Sequence, residues 1–166
     1  MVGVIVKRNT YGGEEYVRNA CKYITNPNKA IAVNGYGVDY TSAENCYKNM
    51  MAVKSYFRNT SGNPLLHIIV SYDETVKDIK IACEMSKKCA GYFDFKYQNI
   101  FCTHEKEHGH SKFHTHILVN SVAYTDGKLI NSWIRNMNDF CGYVEMVTGR
   151  PTRLYIKNGA GEFRES

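Results

Sequence analysis

VGVIVKR (2–8) opens the chain as a short apolar run that reads as a strand, with Lys7 and Arg8 at its exit. After a TYGGE turn, Tyr16, Val17, Ala20, Cys21 and Ile24 recur at helical spacing and predict an amphipathic helix over 14–24. Pro27 disfavours helix at Asn26, so Tyr23 falls in the last turn, just ahead of a loop carrying Lys29. Residues 30–40 contain two glycines and show no clear period; they read as a connection. TSAE (41–44) has the form of a capping box, with Thr41 as N-cap and Glu44 three residues on, and predicts a helix to about Phe57. LLHIIVSY (65–72) is apolar on both alternating faces, which marks a central strand covered by helix on at least one side. A helix opening at DETVKD runs to about Gly91, and two strands follow around 96–104 and 112–123. A TDGK turn, a helix over 131–149 and a strand over 152–157 complete the pattern, ahead of a polar tail.

The resulting order, β-α-α-β-α-β-β-α-β with an adjacent hairpin, predicts an α+β fold built on a central antiparallel sheet with flanking helices. Its 166 residues suit one domain, over 1–157, with 158–166 as a polar C-terminal tail. A hydrophobic fraction of 43% and only three prolines exclude a disordered chain. No apolar run approaches the roughly 20 residues that span a bilayer. The start has neither the length nor the charge placement of a secretory signal, so a cytoplasmic location is expected. Six scattered cysteines without a C-x-x-C pair predict buried free thiols rather than disulfides. The net charge of +5 permits a polyanionic partner, and thirteen tyrosines add the possibility of base stacking.

The chemistry concentrates in THEKEHGHSKFHTHILVN (103–120), which holds five of the six histidines. Strand alternation puts His114, His116, Leu118 and Asn120 on one face, and an antiparallel partner strand ending at His104 brings a third imidazole to them. Three neutral imidazoles with coordination positions to spare describe a catalytic rather than a closed metal centre. The competing reading is a polar hairpin loop in which the paired histidines are incidental.

With these residues in view, the chain resembles the catalytic domain of conjugative relaxases (mobilisation nucleases) of the HUH endonuclease superfamily. KYITNPNKA (22–30) is similar to the family's early tyrosine motif, and HIIVSYDE (67–74) to its strand ending in serine and then glutamate. TH…HTHILVNSV…DGK (103–128) is similar to its histidine motif and trailing turn. The resemblance implies a two-layer sandwich, Tyr23 as nucleophile, and His104, His114 and His116 as metal ligands. It places Ser71 and Glu74 in support near the cleaved phosphate. It further implies nicking and rejoining of one DNA strand at a transfer origin through a 5′-phosphotyrosine, with accessory DNA-processing proteins as partners. The sequence departs from the family pattern in Thr115 between the paired histidines, where a bulky apolar residue is usual, and in Lys106, where an aspartate is common. Extra histidines at 108 and 110 are alternative third ligands.

A tyrosine of pKa near 10 needs help with its proton and a counter-charge on the phosphoryl oxygens before it can attack a phosphodiester. A divalent cation on three imidazoles supplies the second; Mn²⁺ or Mg²⁺ is expected from availability, and Zn²⁺, Co²⁺ or Ni²⁺ also suit imidazole. Tyr11 and Tyr16 are rival nucleophiles. Tyr143 would be the nucleophile of a rolling-circle replication initiator or single-tyrosine transposase, and His67 shares a strand face with Ser71. Lys22, Lys29, Lys54, Arg58 and Lys112 are candidate phosphate contacts, and Asn120 a further candidate contact to single-stranded DNA. A non-catalytic zinc- or DNA-binding module, closed by Cys102 and the histidines, is the alternative from outside the enzymes.

Overall fold

Alternation in the strands decides where the core lies. In β1 (Val2–Lys7), Val2, Val4 and Val6 are buried on one face, and in the central strand β3 (Leu65–Ser71) Leu66, Ile68 and Val70 join them. The computed structural model describes residues 1–7, 12–106, 111–130, 134–157 and 163–165. Between β1 and β3 come α1 (Glu14–Ile24), β2 (Ala30–Tyr36) and α2 (Ala43–Tyr56). After β3 come α3 (Ile79–Ala90), a 3₁₀ turn (Gly91–Phe93), β4 (Asn99–Glu105) and β5 (Phe113–Asn120). The chain continues with α4 (Ile134–Thr148), β6 (Thr152–Lys157) and β7 (Phe163–Glu165).

The strands form one sheet in the order β2-β4-β5-β3-β1-β6-β7. Every neighbouring pair is antiparallel except β1 with β6. The α+β class and the central antiparallel sheet with flanking helices are as expected. Helices cover both faces, so the sandwich has three layers where the resemblance implied two. On one face α3 and α4 bury Ala82, Met85, Phe140 and Val144 against Val4, Ile68, Ile117 and Val119. On the other, Val17, Cys21 and Ile24 of α1 and Cys46 and Met50 of α2 pack on Ile100, Cys102 and Leu118. Burying each large aliphatic side chain contributes about 1.5–3 kcal/mol, and truncating Leu118 to alanine would cost about 2–5 kcal/mol.

Three local expectations change. Residues 30–36 are an edge strand rather than a connection. β2 pairs with β4, and a Cβ on Gly35 would come within 3.1 Å of the Asn99 carbonyl oxygen, so this edge needs a residue without a side chain. The N-cap of α2 is Ser42, whose hydroxyl accepts from the Asn45 amide at 3.1 Å. Thr41 instead donates to Asp39, and Glu44 pairs with Arg18 of α1. Part of the polar tail, Phe163–Glu165, extends the sheet as β7 beside β6.

Thr115 has a packing reason. It is fully buried on the α3 face, and its hydroxyl meets Tyr72 Oη at 2.6 Å and the Ser86 hydroxyl, which in turn reaches Thr103 Oγ1 at 2.7 Å. A hydroxyl under a helix is tolerated when it is hydrogen-bonded, and here four hydroxyls satisfy one another. All six cysteines are free, as expected, and five are buried.

Candidate active site

β4 and β5 pair so that His104 lies opposite His114 and Cys102 opposite His116. One ligand nitrogen from each of His104, His114 and His116 falls within 4.8 Å of the others. Ring centroids stand 4.6 to 5.3 Å apart. Burial pushes all three imidazoles below the ordinary histidine range, His114 to about 4, so they are neutral at physiological pH. Neutral imidazole is the form that ligates a metal. Nδ1 of His114 is buried and has no hydrogen-bond partner among the described residues. A buried ring nitrogen left without a partner is costly unless something else occupies it, and a divalent cation fits that need.

The tyrosine arrives from the other side of the same face. α1 ends at Ile24 with the Thr25 amide and hydroxyl both donating to the Cys21 carbonyl. A tight turn, in which the Lys29 and Ala30 amides donate to the Asn26 carbonyl, then feeds β2, and β2 pairs Ala30 with His104. This short return brings Tyr23 over the histidines. Its hydroxyl lies 3.4 Å from His116 Nε2, and its ring meets those of His104 and His116 edge-on at 5.8 and 5.2 Å. Tyr23 is 37% exposed, so a ligand can reach it. Partial burial, then the neighbouring Cys102, raises its pKa, so the hydroxyl keeps its proton at neutral pH.

Ser71 is the cross-strand neighbour of His114, and its hydroxyl shares a 3.0 Å hydrogen bond with Ser111. Glu74 is exposed in the turn after β3, lining a shallow pocket with Ser71 and Ser111. Lys29 and Lys112 border an open cleft with His104 and Lys106; Lys29 Nζ stands 5.7 Å from the Tyr23 ring centre. Lys112 pairs with Glu105 at 3.3 Å, and Lys22 is exposed on α1 beside Tyr23.

Two expected DNA contacts are corrected. Asn120 is fully buried, donating to the Met50 carbonyl and to Gln98 Oε1, each at 3.0 Å, and accepting from the Val122 amide; it braces β5 against α2 and cannot touch a strand of DNA. Lys54 is 2% exposed and donates to Ser121 Oγ at 2.8 Å. Among the rival tyrosines, Tyr143 lies on α4, across the sheet from the histidines, and donates to the Lys88 carbonyl. Tyr16 packs against the α1–α2 core. Tyr11, His108 and His110 fall outside the described residues.

His67 is the residue that sequence reasoning left undecided. Its Nε2 lies 2.9 Å from His116 Nδ1, and both rings are buried. Cys102 Sγ stands 3.2 Å from His104 Nε2, and burial pushes its thiol up to about 12, so in the cation-free site it is protonated.

A tyrosine over three imidazoles, on an antiparallel sheet sandwiched by helices, defines the HUH-like class of nuclease domain. Within that class the chain belongs to the relaxase family: residues 23–147 match the family model for the MobA/VirD2-like relaxase nuclease domain. The match begins at Tyr23, spans the histidines and ends in α4. Domains of this family nick DNA at transfer origins, and the family uses a divalent metal. No curated protein matched the sequence. No helix among the described residues is long and apolar enough to cross a membrane.

Proposed function

We propose that this domain nicks and rejoins one DNA strand at a transfer origin through a covalent 5′-phosphotyrosine on Tyr23. The observation that carries this reading is the Tyr23 hydroxyl held 3.4 Å from His116 beside three clustered neutral imidazoles. The Tyr23 oxygen attacks the scissile phosphorus as its proton passes to Glu74 or a water, the bond to the 3′ oxygen breaks, and the departing 3′ oxyanion takes up a proton to become the free 3′ hydroxyl. The tyrosyl ester keeps the phosphodiester's bond energy, so the same atoms run the reaction backwards and close the strand. His104, His114 and His116 would hold a divalent cation, Mn²⁺ or Mg²⁺ in the cell with Zn²⁺, Co²⁺ or Ni²⁺ able to substitute. When bound, that cation supplies counter-charge to the phosphoryl oxygens.

Ser71, the cross-strand neighbour of His114, is assigned to support near the cleaved phosphate, and Glu74 or a water to the proton of Tyr23. Lys22, Lys29 and Lys112 contact the phosphates of the incoming single strand. The setting is cytoplasmic, with accessory proteins opening the duplex. The position of Tyr143 on the opposite face weighs against a replication initiator or transposase that would use it.

Covalent capture tests the reading. Wild-type protein is incubated with Mn²⁺ and single-stranded DNA from its own element and resolved on a denaturing gel with intact-mass analysis. An adduct of protein plus the 5′-phosphorylated fragment is expected, absent from Tyr23→Phe and His114→Ala. An adduct that persists in Tyr23→Phe would move the nucleophile elsewhere and overturn the assignment.

A further inference from the structure

We propose that His67 is a positioning residue for this site: it accepts the Nδ1 proton of His116 and thereby turns the bare Nε2 of His116 toward Tyr23 and the histidine cluster. This builds on the reading that the cluster holds a cation. β3 and β5 run antiparallel with His67 beside Leu118 and Ile69 beside His116, so His67 and His116 sit diagonally across adjacent strands on one face. Their nitrogens meet at 2.9 Å, and the rings are 7% and 3% exposed, so water does not supply an alternative partner.

One hydrogen bond between two imidazole nitrogens carries one proton, and its location decides the chemistry. With the proton on His116 Nδ1, the neutral ring leaves Nε2 as a lone pair, the form that ligates a cation. With the proton on His67, a neutral His116 must carry its own proton on Nε2, facing the site, and cannot ligate. A His116 that ligates through Nε2 carries its proton on Nδ1, and that nitrogen faces His67 Nε2 at 2.9 Å, so His67 acts as the acceptor. A buried acceptor that fixes the tautomer and orientation of a ligating histidine is the role usually filled by a carboxylate or a backbone carbonyl. Here a histidine on the central strand fills it. The partner lies 49 residues away in sequence.

Long-range ¹H–¹⁵N spectra of the cation-free protein read the tautomers directly. The expected spectrum shows His116 protonated on Nδ1 and His67 with an unprotonated Nε2. His67→Leu removes the acceptor, while His67→Gln keeps one in its amide oxygen. Mn²⁺ binding, measured by titration, should weaken roughly 10- to 100-fold in His67→Leu. His67→Gln should recover most of that loss, and the Nδ1-protonated form of His116 with it. Wild-type His116 protonated on Nε2, or a His67→Leu protein that binds Mn²⁺ as tightly as wild type, would overturn the assignment. Equal losses in the two variants would overturn it as well. If His67→Leu fails to fold, the wild-type spectrum and His67→Gln decide. Should wild type bind no Mn²⁺ at all, the cation reading fails, and the tautomer spectrum still decides the role of His67.

Discussion

The hydroxyl of Tyr23, in the last turn of α1, lies 3.4 Å from Nε2 of His116 on β5, 93 residues further along the chain. The contact joins a side chain with no acidity of its own at neutral pH to a nitrogen suited to a cation. It also separates Tyr23 from Tyr16 and Tyr143. Tyr23→Phe keeps the ring and its edge contacts and loses one long hydrogen bond, so its stability should fall by less than about 1 kcal/mol. DNA adduct formation should nonetheless drop below detection. Tyr143→Phe should form adduct at the wild-type rate. A denaturing-gel time course on both variants checks the pair.

Acid should unfold the cation-free protein through these same rings. Burial lowers the folded-state pKa of His67, His114 and His116 below the ordinary value, so the unfolded chain binds more protons as the pH falls through about 6.5. Stability is then complete above that pH and lost below it, with a slope of at most about 1.4 kcal/mol per pH unit for each fully buried imidazole. Half-buried His114 contributes less than the other two. The urea midpoint should decline steadily between about pH 6.5 and about pH 4. A flat midpoint across that range would show that the imidazoles titrate in the fold as they do in the unfolded chain.

The histidine strand was readable because period two is unambiguous in FHTHILVN: His114 and His116 had to share a face, and β4 had to end beside them. The strand β2 was not readable. As an edge strand with Ile31 exposed and Gly35 pressed against β4, it has no apolar alternation to announce it. The cap of α2 moved by one residue because Thr41 and Ser42 are adjacent hydroxyls and Asp39 captures the first. Which face α4 covers depends on the path of the chain, so the distance between Tyr143 and the histidines could not be read from spacing. Depth along a strand is equally invisible, and that is why Asn120, rightly placed on the histidine face, proved to be core.

Asn120→Ala tests that correction. The substitution leaves Gln98 Oε1 and the Val122 amide without their Asn120 partner in a buried setting and removes a second donor from the Met50 carbonyl, and each buried polar group that loses its partner is costly. A loss of about 2–4 kcal/mol is expected in urea unfolding. DNA affinity of the folded fraction should stay near wild type. A large drop in affinity without loss of stability would restore Asn120 to the DNA interface.

Lys54→Met should stabilise the protein at neutral pH. Burial lowers the lysine, which donates to Ser121 Oγ, to about 8, below its ordinary 10.5. The folded state therefore releases a proton that the unfolded state keeps, and stability rises as pH climbs from about 8 toward 10.5. Below that window the charged amine is a burden that methionine lacks, worth about 1–2 kcal/mol after allowance for its hydrogen bond. Urea unfolding should show the advantage of Lys54→Met shrinking through the alkaline window, and an advantage constant with pH would assign it to packing alone.

Lys29 and Lys112 border the same cleft but should not contribute equally to single-strand binding. Lys112 is already paired with Glu105 at 3.3 Å, so a phosphate must displace or share that carboxylate. Lys29 has no ion pair among the described residues and stands beside the Tyr23 ring, where the proposed reaction would bring the scissile phosphate. Lys29→Ala should therefore weaken binding of single-stranded DNA more than Lys112→Ala. Each phosphate contact on a single strand contributes about 0.7 to the slope of log affinity against log salt. Lys29→Ala should flatten that slope by about this amount, and Lys112→Ala by less. Fluorescence anisotropy across a salt series measures both slopes. A steeper dependence on Lys112 would mean that the strand enters over Glu105 rather than past Tyr23.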